Sequence, residues 1–432
     1  MNDQSQLRFL VVGGGLAGLA AAIALCKAGH VVTLLEARAE FTELGAGIQM
    51  PPNCTRILRR WNLLDEIIQF ATKPQAIQLL SDSGNVLSTT SLIPDMENKF
   101  NAPHLLIHRA DLLRILYEGA EASGAELITN AQVQHVDFAK NCVYTTDGRE
   151  FVGDVIIGAD GEHSTCQQYL LGNNTTSRVP SGKVACRFTV SSTDILSTPS
   201  LASIAAPSKV AAWLGSGAHV VAYNLDARNI CNFVAILPED AISEFRSQSL
   251  SAGPTVISSA PLKKFFETWD PVLTTALGYA DGCLGWRLTN SPRMEKTVHA
   301  AGKFVLIGDA AHSMHPHLAQ GAAQGIEDAA LLGHLFGRAS KCENIALVLD
   351  VFEEIRKERV QAIQRRSAEV GRVWTLGHGS ERKMRDQAFA LNDTNNCPFP
   401  NPFSDAKLTA WLYSDDSFEN ADKALNSHKL SG

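Results

Sequence analysis

The chain has 432 residues, of which 45% are hydrophobic and 19% charged, and its formal net charge at pH 7 is -7. This length exceeds what one compact core usually holds, so we expect two closely associated domains or one large composite unit. The net negative charge and the lack of Lys- or Arg-rich runs argue against nucleic-acid binding. The nine cysteines are scattered and never spaced as CxxC, which argues against a disulfide framework or a zinc site and predicts a reduced, cytoplasmic protein. The uncharged stretch 9–26 contains a glycine-rich nucleotide-binding pattern, so no membrane span is expected.

The first predicted unit, residues 8–36, reads as strand, helix and strand. Gly13, Gly15 and Gly18 form a G-x-G-x-x-G fingerprint, which lets the backbone approach a pyrophosphate at the N-terminus of the helix. Glu36 ends the second strand, where its carboxylate can accept hydrogen bonds from ribose hydroxyls and would repel a 2′-phosphate. The unit is therefore predicted to bind FAD or NAD and not NADP.

The following segments alternate between two kinds of pattern. Residues 76–90 have two short apolar runs around a polar turn, which is typical of an antiparallel hairpin. We expect this hairpin to contribute two strands to a second domain. Helical periodicity returns over residues 108–122, and strand-like alternation dominates residues 181–286. That alternation suits an antiparallel sheet with one face open to a ligand. A buried strand, a long helix and a polar tail with a short helix around LTAWLY complete the chain.

The predicted fold class is α/β, with a Rossmann-type FAD-binding domain built from three segments, 1–75, 100–180 and 287–376. An antiparallel β-sheet substrate domain, residues 76–99 and 181–286, is inserted into it. Residues 377–432 form a C-terminal helical and irregular tail.

Two acidic loops leave predicted strands of the first domain. Asp160 follows the apolar run DVII within GADG, and Asp309 follows FVLI within GDAA. Ligand crevices form at the carboxyl ends of parallel strands, so both residues are candidates for cofactor binding, and Asp309 is suited to sugar-like hydroxyls. Each loop taken alone is better explained as an ordinary strand-terminal turn.

The order of these three motifs resembles that of the flavoprotein aromatic hydroxylases of the para-hydroxybenzoate and salicylate hydroxylase type. The resemblance is closest to the fungal salicylate-hydroxylase-like branch at ELGAGIQMPPN (43–53), at HPHLAQGAAQGIEDAALL (315–332) and at WLYSDDSFENADKAL. It implies an FAD enzyme in which NAD(P)H reduces the flavin transiently and O2 forms a flavin C4a-hydroperoxide that attacks an aromatic ring. The single complete dinucleotide fingerprint agrees with a nicotinamide donor that has no Rossmann domain of its own.

The resemblance also assigns further residues to the cofactor. Gly45, Ala46 and Gly47 would lie against the flavin, Arg109 would contact FAD, and Pro316 would approach the flavin ring. The segment from Gln320, with Gly321 and Ala322, would begin a long helix whose positive end stabilises negative charge on reduced flavin. Gln167 stands where the family usually has an arginine linked to flavin and nicotinamide, so the choice between NADH and NADPH stays open.

Three clustered histidines invite a metal interpretation. No carboxylate or thiolate stands at a recognisable ligand spacing from His312, His315 and His317, so no metal is expected. His312 is interpreted as structural, and His315 or His317 is a candidate for lining the pocket.

Two residues of the predicted substrate domain are catalytic candidates. Arg187 interrupts the apolar strand VACRFTV, where burial of an unpaired charge would be costly, and Tyr223 lies in HVVAYNL. In the family such residues hold a phenolate or face the pocket. The alternatives are a surface charge for Arg187 and a core aromatic for Tyr223.

These features predict an NAD(P)H- and O2-dependent monooxygenase that hydroxylates a small phenolic metabolite, in secondary metabolism, acting as a monomer or homodimer. Epoxidation of an indole alkaloid with rearrangement is one alternative reaction. A non-catalytic flavin- or nucleotide-binding protein is an alternative of another class.

Overall fold

The fold is seen in a computed structural model that describes residues 6–41, 45–172, 179–205, 208–247, 253–290, 294–338, 344–391, 399 and 401–427. The strands are β1 (Arg8–Val12), β2 (Val31–Leu35), β3 (Gly47–Met50), β4 (Ala76–Ser81), β5 (Val86–Ser91), β6 (Leu105–His108), β7 (Glu126–Ile128), β8 (Val133–Asp137), β9 (Cys142–Thr145), β10 (Glu150–Val152), β11 (Val155–Gly158), β12 (Val179–Ser191), β13 (Lys209–Leu214), β14 (His219–Leu225), β15 (Ile230–Pro238), β16 (Thr255–Ser258), β17 (Gly282–Asn290) and β18 (Phe304–Leu306). The helices are α1 (Leu16–Lys27), α2 (Pro52–Arg60), α3 (Leu64–Phe70), α4 (Asp95–Phe100), α5 (Arg109–Ala122), α6 (Thr165–Leu171), α7 (Ser192–Ser197), α8 (Ala202–Ala205), α9 (Ala260–Phe265), α10 (Pro271–Gly278), α11 (Asp309–His312), α12 (Gly321–Arg338), α13 (Ile345–Trp374), α14 (Ser380–Leu391), α15 (Ala406–Tyr413) and α16 (Ser417–Ser427).

A five-stranded parallel sheet has the strand order β18-β11-β1-β2-β7. It forms the centre of the part that the sequence predicts to bind the cofactor, here called the cofactor side. Its strands are apolar on both faces because both faces are covered. Phe9 and Val11 pack with α1, α5 and α12, whereas Leu10 and Val12 pack towards the small sheet β10-β9-β8. Three separated chain segments therefore meet in one sheet.

The second large sheet has eight strands in the order β16-β17-β12-β15-β14-β13-β4-β5. The predicted hairpin is present as β4 and β5 and lies at one edge of this sheet. The other pairs are antiparallel except β13 with β4, which is parallel. Strands β12 and β17 run beyond residues 181 and 286, so the exact domain boundaries remain a prediction.

The two faces of the eight-stranded sheet differ in what they contact. Cys186, Phe188 and Phe233 point to one face and pack with α9 and α10 in a hydrophobic core. Side chains alternate across a strand, so Arg187 points to the opposite face. That face is turned towards the cofactor side, because residue Gly45 there lies against Arg187.

The C-terminal region is more helical than the sequence predicts. Besides α15 at the expected place, α14 and α16 are helices, and α16 packs on α12 through Ala421 and Leu425, which are almost fully buried. The local sequence of α16 does not indicate a helix strongly, since the helix is stabilised mainly by packing of its apolar stripe. None of the described helices is both long and apolar enough to cross a membrane.

The cysteines within the described residues are free thiols, and Cys342 and Cys397 lie outside those residues.

Candidate active site

The glycine loop after β1 and the loop after β11 are in direct contact. A Cβ at Gly13 would lie 2.7 Å from the carbonyl carbon of Ala159, and Gly13 has a φ of +108°. Only glycine adopts this backbone conformation readily and leaves room for the second loop. The G-x-G-x-x-G and GADG motifs thus form one continuous backbone surface at the carboxyl ends of β1 and β11.

Glu36 is anchored above the start of α1. Its carboxylate accepts hydrogen bonds from the backbone N–H groups of Gly14, at 2.7 Å, and Arg38, at 2.9 Å. Among the described residues outside its chain neighbours, nothing lies within 4 Å of a Cβ built on Gly15, so space is available at the N-terminus of α1. An anchored acid beside an open helix N-terminus fits the ribose and pyrophosphate of a dinucleotide.

Asp160 uses its carboxylate to start a helix. One oxygen accepts a hydrogen bond from the Ser164 hydroxyl at 2.5 Å, and the other accepts one from the Cys166 backbone N–H at 3.0 Å. The observed contacts therefore position α6, and cofactor binding by Asp160 remains a prediction. Gln167, in place of the family arginine, donates a hydrogen bond from Nε2 to the Ala310 carbonyl at 2.8 Å and so connects α6 to α11.

Asp309 stands beside the N-terminus of α12. Its Oδ1 atom is 4.0 Å from a Cβ built on Gly321, and the Asp309 side chain is exposed. Pro316 is also exposed, at the start of the short 3-10 helix Pro316–Leu318, and Gly321 and Ala322 are half-buried. An 18-residue helix directs positive potential from its N-terminus. This edge is accessible and suits negative charge on a cofactor.

The segment Gly45–Gly47 lies directly against the eight-stranded sheet. A Cβ at Gly45 would be 2.5 Å from Nη1 of Arg187 and 3.4 Å from Cδ of Arg109, and a Cβ at Gly47 would be 2.6 Å from the Tyr223 hydroxyl. A side chain at either glycine would clash with the residues that now lie against the segment. The structure therefore gathers Arg187, Tyr223 and Arg109 around a segment that the sequence assigns to the flavin.

The protonation state of Tyr223 follows from its surroundings. The residue is 4% exposed, and burial raises its pKa to about 12, although the charges of Arg187 and Arg109 act in the opposite direction. The phenol stays protonated at neutral pH and can donate a hydrogen bond. Tyr223 also belongs to a hydrophobic cluster with Leu106 and Leu318, so its ring contributes to packing as well.

Arg187 is half-buried, and its guanidinium lies over the indole of Trp286, 5.3 Å from the ring centroid. Such stacking orients a guanidinium. Trp286 has no role in the sequence-based predictions. It pairs with Ala185 on β12, two residues from Arg187 and on the same face.

Sequence reasoning also missed Asn232. This residue is fully buried on β15 directly opposite Tyr223, and its Oδ1 accepts a hydrogen bond from the backbone N–H of Gly47 at 3.4 Å. The two partners of this bond are 185 residues apart in the sequence, so no local pattern indicates the contact.

A second polar group lies further along the same sheet face. His219 precedes Tyr223 by four positions, and its ring centroid is 5.0 Å from that of His317 and 5.2 Å from that of Trp374. Burial lowers the pKa of His219 to about 3 and that of His317 well below its usual value. Both imidazoles are therefore neutral at pH 7. The alternation in HVVAYNL was the signal that could have placed His219 with Tyr223.

The remaining histidines of the cluster have other partners. His312 Nε2 lies 2.6 Å from Asp328, as expected for a structural residue, and His315 Nε2 lies 2.9 Å from Asn290 Oδ1. Within the described ranges no three His, Cys, Asp or Glu residues are arranged to hold a metal ion.

Comparison with known proteins agrees with this arrangement. The FAD binding domain family matches residues 6–225 and 287–367. The FAD-dependent monooxygenase OpS4 of Beauveria bassiana (strain ARSEF 2860) is 34% identical over 427 residues, which cover 98% of each protein. The 3-amino-4-hydroxybenzoate 2-monooxygenase PtmB3 of Streptomyces platensis is 33% identical over 390 residues, covering 88% of this chain and 92% of the relative. The chain belongs to the FAD-dependent aromatic hydroxylase family.

A solved structure shares this fold. CtdE, crystallised in complex with FAD and substrate 4, superposes with a TM-score of 0.82 at 18% identity and covers 98% of both chains. The predicted fold class, family and FAD cofactor are confirmed, and the protein is a flavin-dependent monooxygenase. The observed cradle fits this cofactor, since Glu36 is anchored at the start of α1, space is open at Gly15, and Gly325 of α12 packs against Ala17 of α1.

Proposed function

We propose that this monooxygenase hydroxylates a phenolic aromatic metabolite at a ring carbon beside the one bearing the phenol oxygen, in secondary metabolism. NAD(P)H is the transient reductant, and O2 supplies the oxygen atom. The overall balance is substrate C–H, O2, NAD(P)H and one proton giving C–OH, NAD(P)+ and water. The observation that carries the proposal is the Arg187 guanidinium, which lies against Gly45 and shares its sheet face with the buried phenol of Tyr223.

We propose that the cradle holds the cofactor as the sequence predicts, with the first glycine loop at the pyrophosphate and Glu36 at a ribose. The proposed FAD contacts are Gly13, Gly15, Gly18, Glu36, Gly45, Ala46, Gly47, Arg109, Asp160, Asp309, Pro316, Gly321 and Ala322. Bound FAD supplies the redox chemistry by which O2 is activated.

The side chains of this protein bind and orient the substrate. Arg187 stabilises the phenolate form of the substrate, which makes the ring electron-rich, through a charge-assisted hydrogen bond. Tyr223, held protonated by burial, donates a hydrogen bond to the same region. The indole of Trp286 stacks on the Arg187 guanidinium and orients it.

The charge of the pocket favours a substrate with a single anionic oxygen. An arginine keeps its positive charge in proteins, and the side-chain atoms nearest to a Cβ built on Gly45 belong to two arginines, Arg187 and Arg109. The name of the relative PtmB3 describes oxygenation of an aromatic ring that carries a hydroxyl group. This supports a phenolic substrate for the present protein.

The test is substrate-stimulated turnover of the purified holoenzyme. NADH or NADPH oxidation, O2 uptake, peroxide and product are followed with 3-amino-4-hydroxybenzoate, 4-hydroxybenzoate, salicylate and a panel of larger phenols and indoles. Phenols are expected to stimulate O2 uptake and give hydroxylated product. Epoxidised indoles would instead indicate the alternative reaction, and a flavin-containing protein that consumes neither NAD(P)H nor O2 would be a binding protein.

A further inference from the structure

Asn232 lies at the centre of the sheet face that covers the segment Gly45–Gly47. It is 0% exposed, and β15 places it opposite Tyr223 on β14 and opposite Thr189 on β12. Directly opposed residues in a sheet point to the same face, so Asn232 stands between Tyr223 and the strand that carries Arg187.

The two ends of the Asn232 amide have different surroundings. The oxygen accepts the hydrogen bond from the Gly47 backbone N–H, and this donor identifies which end is the oxygen. The Nδ2 group is fully buried and has no hydrogen-bond partner within the part of the chain that the structure describes. Buried donors in folded proteins are nearly always paired, so this group is placed for a ligand that enters the same pocket.

We propose that Nδ2 of Asn232 donates a hydrogen bond to an oxygen of the aromatic substrate and thereby selects which ring position is oxygenated. The inference rests on the proposed function and adds a second point of substrate contact to Arg187. One contact leaves a flat ring free to rotate about that point. Two contacts, one charged and one neutral, fix the rotation and require a substrate with two oxygen substituents or one shared between both donors.

The amide also connects substrate binding to the segment beside the flavin. Its oxygen holds Gly47 while its nitrogen binds substrate, so a correctly bound substrate and a correctly placed segment favour each other. A residue that only supported Gly47 would need the oxygen alone. This difference separates a structural role from recognition of the substrate.

The test uses two variants of Asn232 in the holoenzyme. Asn232→Asp keeps an acceptor for the Gly47 N–H and loses the donor, and Asn232→Leu loses both. The matched control is Asn224→Asp, since Asn224 is buried on the adjacent strand and donates to the Ile204 carbonyl. Binding of 4-hydroxybenzoate and salicylate is titrated through the flavin absorbance, and the products are separated as regioisomers. FAD content and melting temperature are recorded for every variant.

Both Asn232 variants are expected to raise the Kd of the probes at least about tenfold and to change the ratio of regioisomers, with FAD content unchanged. The Asn224 control should bind the probes as the parent does. The proposal is overturned if Asn232→Asp binds within twofold of the parent, if Asn224→Asp loses as much, or if neither probe perturbs the parent flavin. Failure of the proposed function is recognised separately, as a parent holoenzyme that forms no hydroxylated product from any phenol.

Discussion

Arg187 shows how a single charge is accommodated in an apolar strand. An arginine among buried apolar residues is costly unless its guanidinium meets a polar or aromatic partner. Here the guanidinium stacks on Trp286 and lies beside Gly45, whose lack of a side chain leaves the space it occupies. Its neighbour Phe188 points the other way into the core. The charge therefore faces the cofactor side while the strand stays well packed.

Replacing Arg187 tests its role in holding the substrate. Arg187→Ala is expected to lower the rate of product formation by about 10²- to 10³-fold, the usual effect of removing one donor that stabilises a developing anion. FAD content should not change, and hydrogen peroxide should rise because reduced flavin still reacts with O2. Arg187→Lys, which keeps the charge without the planar fork, should recover part of the product. A variant as productive as the parent would make Arg187 a surface charge.

Asp309 is expected to bind the cofactor and not to support the fold, since its side chain is exposed beside the start of α12. Asp309→Ala should weaken FAD binding about 10- to 100-fold, the effect of losing a hydrogen bond to a charged group. The ratio of flavin to protein after gel filtration measures this. Asp309→Asn is the control, because it keeps shape and one acceptor. Unchanged flavin content in both variants would contradict the assigned role.

At the level of elements, α12 is the connection between the cofactor side and the C-terminal helices. Glu327 binds Arg356 and Arg359 of α13 at 2.7 and 2.8 Å and accepts a hydrogen bond from Asn53 of α2 at 2.6 Å. Arg359 in turn donates to the Leu412 carbonyl of α15 at 3.0 Å. A buried network of this kind is stable only when every charge has its partners. The network holds the helices α2, α12, α13 and α15 in one arrangement.

This network predicts a specific loss of stability in acid. Burial alone would raise the pKa of Glu327, but Arg359 and Arg356 outweigh it and lower the pKa to about 2, from an ordinary value of 4.5. A lowered native pKa stabilises the fold above pH 4.5, and this stability is lost as the pH falls towards 2. Glu327→Gln should lower the free energy of unfolding by about 3 kcal/mol at neutral pH.

Denaturant unfolding between pH 7 and pH 3 measures both effects. The Glu327→Gln variant should depend less on pH than the parent below pH 4.5, because the titrating group is gone. The exposed pair of Lys423 and Glu419 on α16 offers a control, and Glu419→Gln should change stability by less than about 1 kcal/mol. Equal acid sensitivity of parent and Glu327→Gln would show that other carboxylates dominate.

At the scale of the whole molecule, the loops predicted to bind the cofactor come from segments that are far apart in the sequence. Gly13 contacts Ala159, a Cβ on Gly308 would lie 2.8 Å from that of Ala17, and Gly45 contacts Arg187 of the second sheet. A ligand bound there contacts several segments at once. Its binding free energy therefore adds to the stability of the entire fold.

FAD is accordingly expected to stabilise the apoprotein by about 2.7 kcal/mol at a concentration one hundred times its Kd. Riboflavin lacks the pyrophosphate and adenosine that Glu36 and the N-terminus of α1 are placed to bind, so it should raise the melting temperature much less. Thermal unfolding of apoprotein with each compound is the measurement. Equal stabilisation by riboflavin would mean that the first glycine loop does not bind the cofactor.

The sequence by itself determined the parts of the protein that depend on short-range pattern. Strand, glycine turn, helix and acid all fall within residues 8–36, and the observed β1, α1 and β2 follow that pattern. The hairpin β4-β5 was equally local. Steric limits at glycine and the periodicity of buried side chains act between near neighbours, so these elements could be read from the chain alone.

The tertiary structure alone decided which distant polar residues meet. Asn232 meets Gly47, His219 meets His317, and Glu327 meets Arg359 only because distant strands and helices pack together. It also decided that the Asp160 carboxylate accepts a hydrogen bond from the Cys166 N–H of α6 and that Gln167 links α6 to α11. The physical reason is that a buried polar group is stabilised by whichever partner the fold brings to it, and that partner leaves no periodic trace in the sequence around either residue.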